Sequence, residues 1–253
     1  MKYSVLCLLL IGLLGLGESV YAQTDRAKQV YETFDARRSA ITYETATIQM
    51  RIVDSRGRVR EREMQSWAYQ KDETNKSLVR FLAPADVRGT GFLTVKEGTS
   101  EVQRLYLPAL NRTQTISSGQ RGDRFMGSDF TYEDMGDQDP NDFTFSTIRD
   151  DESAQKILIK AVRKVPAGYA YAHFLLDVRR YVLLEAEYFS AAGEMLRKLT
   201  SGDLVEVRAG IWRANLLTMR DVKQNRYTEL IWKSRTLDEV IPQSTFTERS
   251  LSN

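Results

Sequence analysis

From about residue 45 onward the chain is a succession of short runs in which apolar and polar side chains alternate, and this leaves little choice of fold. In "ATIQMRIVD", Ile48, Met50 and Ile52 fall on one side and Gln49 and Arg51 on the other, because successive strand residues point to opposite faces of a sheet. "DSRGR" supplies a turn and "VREREMQSWAYQ" runs back with charges on a wet outer face, so the pair reads as a hairpin. Similar runs follow at "KSLVRFLA", "GFLTVKE", "QRLYLPA", "RTQTIS", "DFTFSTIRD", "QKILIKAVRKV" and "AYAHFLLDV", then at "LLEAEYFS", "EMLRKLTSGDL", "WRANLLTMRDV" and "NRYTELIWKS". Gly and Pro gather between runs, at "APADVRGTG" and "KVPAGYA", and no low-complexity tract or long linker interrupts the series. Many consecutive antiparallel strands with little helix predict a mainly β fold, one large curved sheet or barrel, as a single domain over residues 23–253.

Such a sheet has a concave apolar face to cover. The helical signals available for that are few. "DRAKQVYETFDARRSA" carries Ala27, Val30, Tyr31 and Phe34 at helical spacing behind a capping Thr24 or Asp25. A short piece around "GSDFTYEDM" and the tail "FTERSLS" are the others. They are the expected lid, and so few helices over so large a sheet predict a cavity that is not fully packed.

The N-terminus sets the expected compartment. Lys2, an apolar run from about Val5 to Leu16 and small residues around Ala22 form a signal peptide over residues 1–22, cleaved before Gln23. A membrane anchor is the alternative reading, but the run is shorter than the roughly twenty residues a bilayer needs and ends in Gly-Glu-Ser. Cys7, the single cysteine, lies inside the apolar run rather than at the head of a mature chain, so lipidation is not expected. Cleavage would leave a chain with no disulfide and no thiol, which has to fold on its hydrophobic core alone. The formal charge of +2 is far from the basic excess of a nucleic-acid binder.

No catalytic constellation emerges. The one histidine, His173, sits within a strand-like run, and with so few soft ligands a zinc site is not expected. Neither a nucleophile elbow nor a phosphate-binding loop occurs. The remaining candidate is "GDRFMGSDFTYEDM", Gly122 to Met135, where Asp123, Asp129, Glu133 and Asp134 stand among Phe125, Met126, Phe130 and Tyr132. Paired carboxylates for glycoside cleavage face each other across a groove. Asp129 and Glu133 would instead share one side of one short helix. The expectation is that these acids cap and solubilise a lid segment while the aromatics and Met126 make its apolar contact. No metal, cofactor or enzymatic activity is expected.

With these residues in view, "SLVRFLAPADVRGTGFLTV", "RLYLPALNRTQTISSGQRGDRFMGSDFTYEDM" and "FTERSL" resemble the LolA-like outer-membrane lipoprotein-sorting proteins, most closely the periplasmic branch associated with RND/MMPL-type exporters. The likeness runs from about residue 24 to 252. Two positions depart from it: Ala214 follows "GIW" where a proline is common, and Val182 stands near another such position. The resemblance implies an open half-barrel of antiparallel strands, with helices covering the concave face. It also implies a periplasmic carrier or chaperone that takes acyl chains of lipoproteins or other lipids to the outer membrane, in peripheral rather than integral contact with membranes. An RND/MMPL-type inner-membrane exporter is the implied partner. The alternative is an accessory or sensor subunit of such an exporter that carries no cargo. By alternation the candidate lipid-cavity residues are Ile48, Met50 and Ile52, then Trp67, Tyr69, Phe81, Leu105 and Leu107, then Phe174, Leu230 and Trp232. Phe125, Met126, Phe130 and Tyr132 are the lid candidates, and Arg80, amid apolar neighbours in "LVRFL", is the candidate lid or head-group contact.

The N-terminal reading is directly testable. Intact-mass analysis of a periplasmic extract should show a chain beginning at Gln23, and an uncleaved or acylated N-terminus would overturn it.

Overall fold

The computed structural model describes residues 15–165 and 168–252, with the side chains of the first helix described from Asp25 on. The expected signal peptide therefore lies outside the residues whose side chains are described. Helix α1 spans Gly15–Arg38. Thirteen strands follow: β1 Tyr43–Val53, β2 Val59–Lys71, β3 Thr74–Ala83, β4 Gly91–Glu97, β5 Ser100–Leu107, β6 Arg112–Thr115, β7 Phe143–Asp151, β8 Lys156–Arg163, β9 Tyr171–Asp177, β10 Val182–Phe189, β11 Met195–Arg208, β12 Ile211–Asp221 and β13 Arg226–Leu237, with a one-turn helix α2 at Glu248–Leu251.

All thirteen strands form one antiparallel sheet in the order β6-β5-β4-β3-β2-β1-β13-β12-β11-β10-β9-β8-β7. Each half is a meander of neighbouring hairpins, which is the cheapest way to pair strands in loop entropy. The halves join where β1 pairs with β13, Met50 opposite Leu230. The sheet does not close, so β6 and β7 are both edges although they are consecutive in the chain. Residues 116–142 link them. Laid flat, thirteen strands would span roughly 60 Å at the usual strand spacing, and a segment full of turns joins such edges only if the sheet curls around it. The open half-barrel and its crossing strap are one feature.

The inner face carries the main core. Ile48, Met50, Ile52, Phe81, Phe92, Leu105, Ile157, Ile159, Phe174 and Leu230 all belong to one buried cluster. Helix α1 covers it at the β7–β9 end, where the Tyr31 ring stacks on Phe174 at 5.6 Å and lies 4.7 Å from Phe145. Burial raises the Tyr31 hydroxyl pKa far above its ordinary value. The last turn of α1 is basic, with Arg37 and Arg38 at the negative end of the helix dipole.

The helix expected around "GSDFTYEDM" does not form. Met126 and Gly127 adopt φ of 50° and 73°, left-handed values that cannot continue a right-handed helix. They reverse the chain instead, so that Arg124 bridges Thr131. The tail helix does form, at α2, but it lies on the opposite face of the sheet. There Ile241, Phe246 and Leu251 pack over Leu78 and Leu93, with Trp67 and Tyr69 against them. Thr247 caps the single turn through its side chain, which accepts from the Ser250 amide.

Gly91 is what lets this tail come so close. A Cβ there would meet the Leu251 carbonyl oxygen at 2.7 Å and its side chain at 2.8 Å. Gly91→Ala should therefore lift the tail and destabilise the fold by about 1–3 kcal/mol, read as a lower urea midpoint. An unchanged midpoint would contradict this packing.

Candidate functional site

The acids of Gly122–Met135 are buried anchors rather than solubilising caps. The Asp129 side chain has no exposed surface and lies between Arg124 at 2.5 Å and Arg226 at 2.8 Å, and the Thr228 hydroxyl donates to it at 2.7 Å. Arg124 also pairs with Asp221 at the end of β12. Glu133 pairs with Arg163 of β8 at 2.5 Å and accepts from the Gly168 amide at 2.8 Å. Asp134 pairs with the buried Arg197 of β11 while accepting from the Thr131 amide at 2.7 Å. Asp123 alone is exposed. The strap is thus pinned by carboxylates to β8, β11, β12 and β13, and on its other flank by rings. Phe125 meets Phe92 at 5.1 Å and Tyr132 edge-on at 5.7 Å, with Phe81 at 6.0 Å.

Two depressions remain beside α1. The larger, about 680 Å³, is polar, and the charges at its centre are matched to one another. Lys96 bonds Asp137 at 2.6 Å and Asp139 at 2.8 Å. Burial works against its charge, but these two carboxylates outweigh it and hold the ammonium well above its usual pKa.

The smaller depression, about 400 Å³, is an apolar groove on the inner face. It runs under the C-terminal end of α1, across the ends of β2, β1, β13, β12, β11 and β10, where the strap does not reach. Phe34, Tyr181, Leu183, Leu199, Leu217 and Trp232 form its greasy wall, all of them continuous with the main core. Its mouth carries Arg38, Arg213 and Arg235 with Glu44. Arg235 pairs with Glu44 at 2.9 Å and lies over the Trp232 ring. Arg213 donates to the Arg38 carbonyl at 2.7 Å and the Arg37 carbonyl at 3.4 Å, closing the end of α1. Burial pushes its pKa down to about 10.

The structure separates the residues that alternation selected. Ile48, Met50, Ile52, Phe81, Leu105, Phe174 and Leu230 lie in the inner cluster, each at most 7% exposed, and Leu107 packs half-buried against it. They are floor and core beneath the cover. Trp232 alone among the cavity candidates lines the groove. Trp67 and Tyr69 go to the opposite face, because β2 turns Met64 inward and its odd-numbered neighbours outward. Arg80 lies on that outer side as well, donating to the Ser250 carbonyl of the tail, so it holds α2 and stands away from the groove. Phe125, Phe130 and Tyr132 are buried in the inner cluster with Met126 against it, as a fixed strap. The groove residues missed by pattern reading are Phe34, Tyr181, Leu183, Leu199, Leu217 and Arg213. Leu217 and Arg213 share the inner side of β12 by simple alternation, a signal that was readable. Which end of the inner face stays uncovered was not.

A family model described as "Uncharacterized protein" matches residues 73–253. The chain belongs to that family. Its fold is shared by solved structures described as lipoprotein-sorting and LolA superfamily proteins. A domain from Vibrio parahaemolyticus, described as an outer membrane lipoprotein-sorting protein, is 25% identical, with 91% of this chain and 100% of that one covered at a TM-score of 0.86. A DUF1329 family protein from Desulfovibrio piger is 19% identical over 90% and 99% of the two chains, TM-score 0.83. A LolA superfamily protein from Nitrosomonas europaea is 16% identical over 88% and 98%, TM-score 0.70. No curated protein sequence matches. The two positions that depart from the resembled pattern, Val182 and Ala214, both line the apolar groove.

Removing the strap's central anchor should be costly. Asp129→Ala leaves Arg124 and Arg226 facing a buried gap, and breaking a buried pair typically costs about 3–5 kcal/mol, well above the loss of a helix cap. Chemical denaturation should show a loss of about 3 kcal/mol or more; a loss under about 1 kcal/mol would return Asp129 to the role of a surface cap.

Proposed function

We propose that this LolA-like protein is a periplasmic carrier that takes the acyl chain of a lipoprotein or other lipid into the groove under α1 and ferries it toward the outer membrane. The observation that carries the reading is the apolar groove itself, left open among the described residues at an end of the inner face that the strap does not reach. Its volume lies within the range of ligand sites, which are largely apolar with a few placed polar groups. The driving force is sufficient. Each buried CH₂ is worth about 0.8 kcal/mol, so a dozen methylenes leaving water contribute on the order of 10 kcal/mol. Such a carrier uses no reacting group, only a greasy cleft and a cover. Here the cover is the C-terminal end of α1, held over the groove by hydrogen bonds from Arg213 to its last carbonyls. Among the described residues no helix is long and apolar enough to cross a membrane, in keeping with peripheral contact. An RND/MMPL-type exporter remains the partner that the sequence resemblance suggests for loading.

The test is binding. Protein purified from its own host should carry lipid detectable by native mass spectrometry, and the delipidated chain should bind a fluorescent fatty acid. Leu217→Glu should abolish binding with the circular-dichroism spectrum unchanged, and Leu217→Trp, which fills the groove without adding charge, should weaken it. Thr236→Glu, at an exposed position of β13, should bind like wild type. A wild-type protein with neither co-purified lipid nor fatty-acid affinity would rule the carrier out and favour the accessory-subunit reading.

A further inference from the structure

The guanidinium groups at the groove mouth are not equally neutralised. Arg38 pairs with Asp35 at 2.7 Å and Asp137 at 3.1 Å, and Arg235 with Glu44 at 2.9 Å. Arg213 makes no ion pair among the described residues. Its partners are backbone carbonyls, of Arg38 at 2.7 Å, Trp212 at 3.2 Å and Arg37 at 3.4 Å. A helix C-terminus offers only about half a negative charge, and a charge withdrawn from water is costly until it is matched. Burial lowers its pKa to about 10; Glu44 opposes that, and Arg235, Arg38 and Arg208 add to it. The group remains a cation at neutral pH.

Arg213 and Leu217 lie on the same side of β12, four residues apart, which is roughly 13 Å along a strand. A cation therefore stands at one end of the apolar wall formed by Leu217, Leu199, Leu183 and Trp232. We infer that the groove takes an amphiphile with an anionic head, a carboxylate or phosphate bound at Arg213, with its acyl chain laid along that wall. This rests on the carrier reading and narrows its cargo from acyl chains in general to anionic lipids. A head group at Arg213 also competes with the carbonyls of Arg37 and Arg38 for the same donors, so binding loosens the end of α1 that covers the groove.

The experiment compares an undecanoic acid carrying a dansyl group at its far end with the methyl ester of the same probe, using the full mature chain. Wild type should bind the acid about tenfold to a hundredfold more tightly, as expected for a hydrogen-bonded charge pair, and the gap should shrink in high salt. Arg213→Gln should bind acid and ester alike, close to the wild-type affinity for the ester, and Arg213→Lys should restore part of the preference. A purely structural role in capping α1 would move both probes together and leave the preference intact, which overturns the inference. Equal binding of the two probes by wild type overturns it too while leaving the carrier reading standing. Binding of neither probe removes both. Should Arg213→Gln fail to fold, the salt titration of wild type decides: an acid preference indifferent to salt refutes the assignment.

Discussion

Two strands adjacent in the chain, β6 and β7, stand at opposite edges of a thirteen-stranded sheet, and the residues between them must cross its inner face. Most other features follow from this crossing. An extended peptide laid over an apolar surface brings backbone groups and turns with it, and it needs strong, directional attachments to stay there. Here most are carboxylates on the strap and arginines on the strands, Asp129 with Arg226, Glu133 with Arg163 and Asp134 with Arg197, while the strap's own Arg124 joins Asp129 to Asp221 of β12. Buried pairs of this kind add little net stability compared with apolar packing, but leaving one partner unmatched is heavily penalised. They therefore choose one path for the strap among many that a hydrophobic surface alone would allow.

Fixing the strap also locates the opening. It crosses near the start of β13 and the end of β12, where Thr228 and Asp221 hold it. Helix α1 occupies the β7–β9 end, through Tyr31 on Phe145 and Phe174. The band where β10 through β13 meet β1 and β2 at their other ends has only the C-terminal end of α1 above it, and there the core continues into the groove. The tail adds nothing on this side, because Gly91 and the cluster around Phe246 and Leu251 seat it on the outer face. The groove is thus the part of a continuous hydrophobic surface that, among the described residues, only the end of α1 overlies.

The rim differs from the strap in how charge is treated. Along the strap each buried acid meets an arginine. At the groove mouth Arg213 is left with the carbonyls of a helix end. The apolar cleft thus has a cation without a carboxylate partner among the described residues at its entrance.

The alternation of side chains was enough to determine the class of the fold, since a period of two admits no packing other than a sheet with one greasy face. It also placed Ile48, Met50, Phe81 and Leu230 on that face. The helix of residues 25–38 was legible from its 3.6-residue period, and so was the short helix in the tail. Alternation misassigned Trp67 and Tyr69, because an aromatic residue suits either face of a two-sided sheet and only the position of the tail decides which one is buried. The acidic motif read as a helix because its spacing allowed one, and the left-handed pair Met126–Gly127 turned it into a strap. Whether a carboxylate there caps a helix or is buried against an arginine a hundred residues away depends on long-range partners that no local pattern contains. The groove belongs to the same category. Its residues carry the ordinary signature of core, and only the tertiary structure, by leaving the surface at Leu217 and Trp232 unfilled beneath the end of α1, made a groove of them.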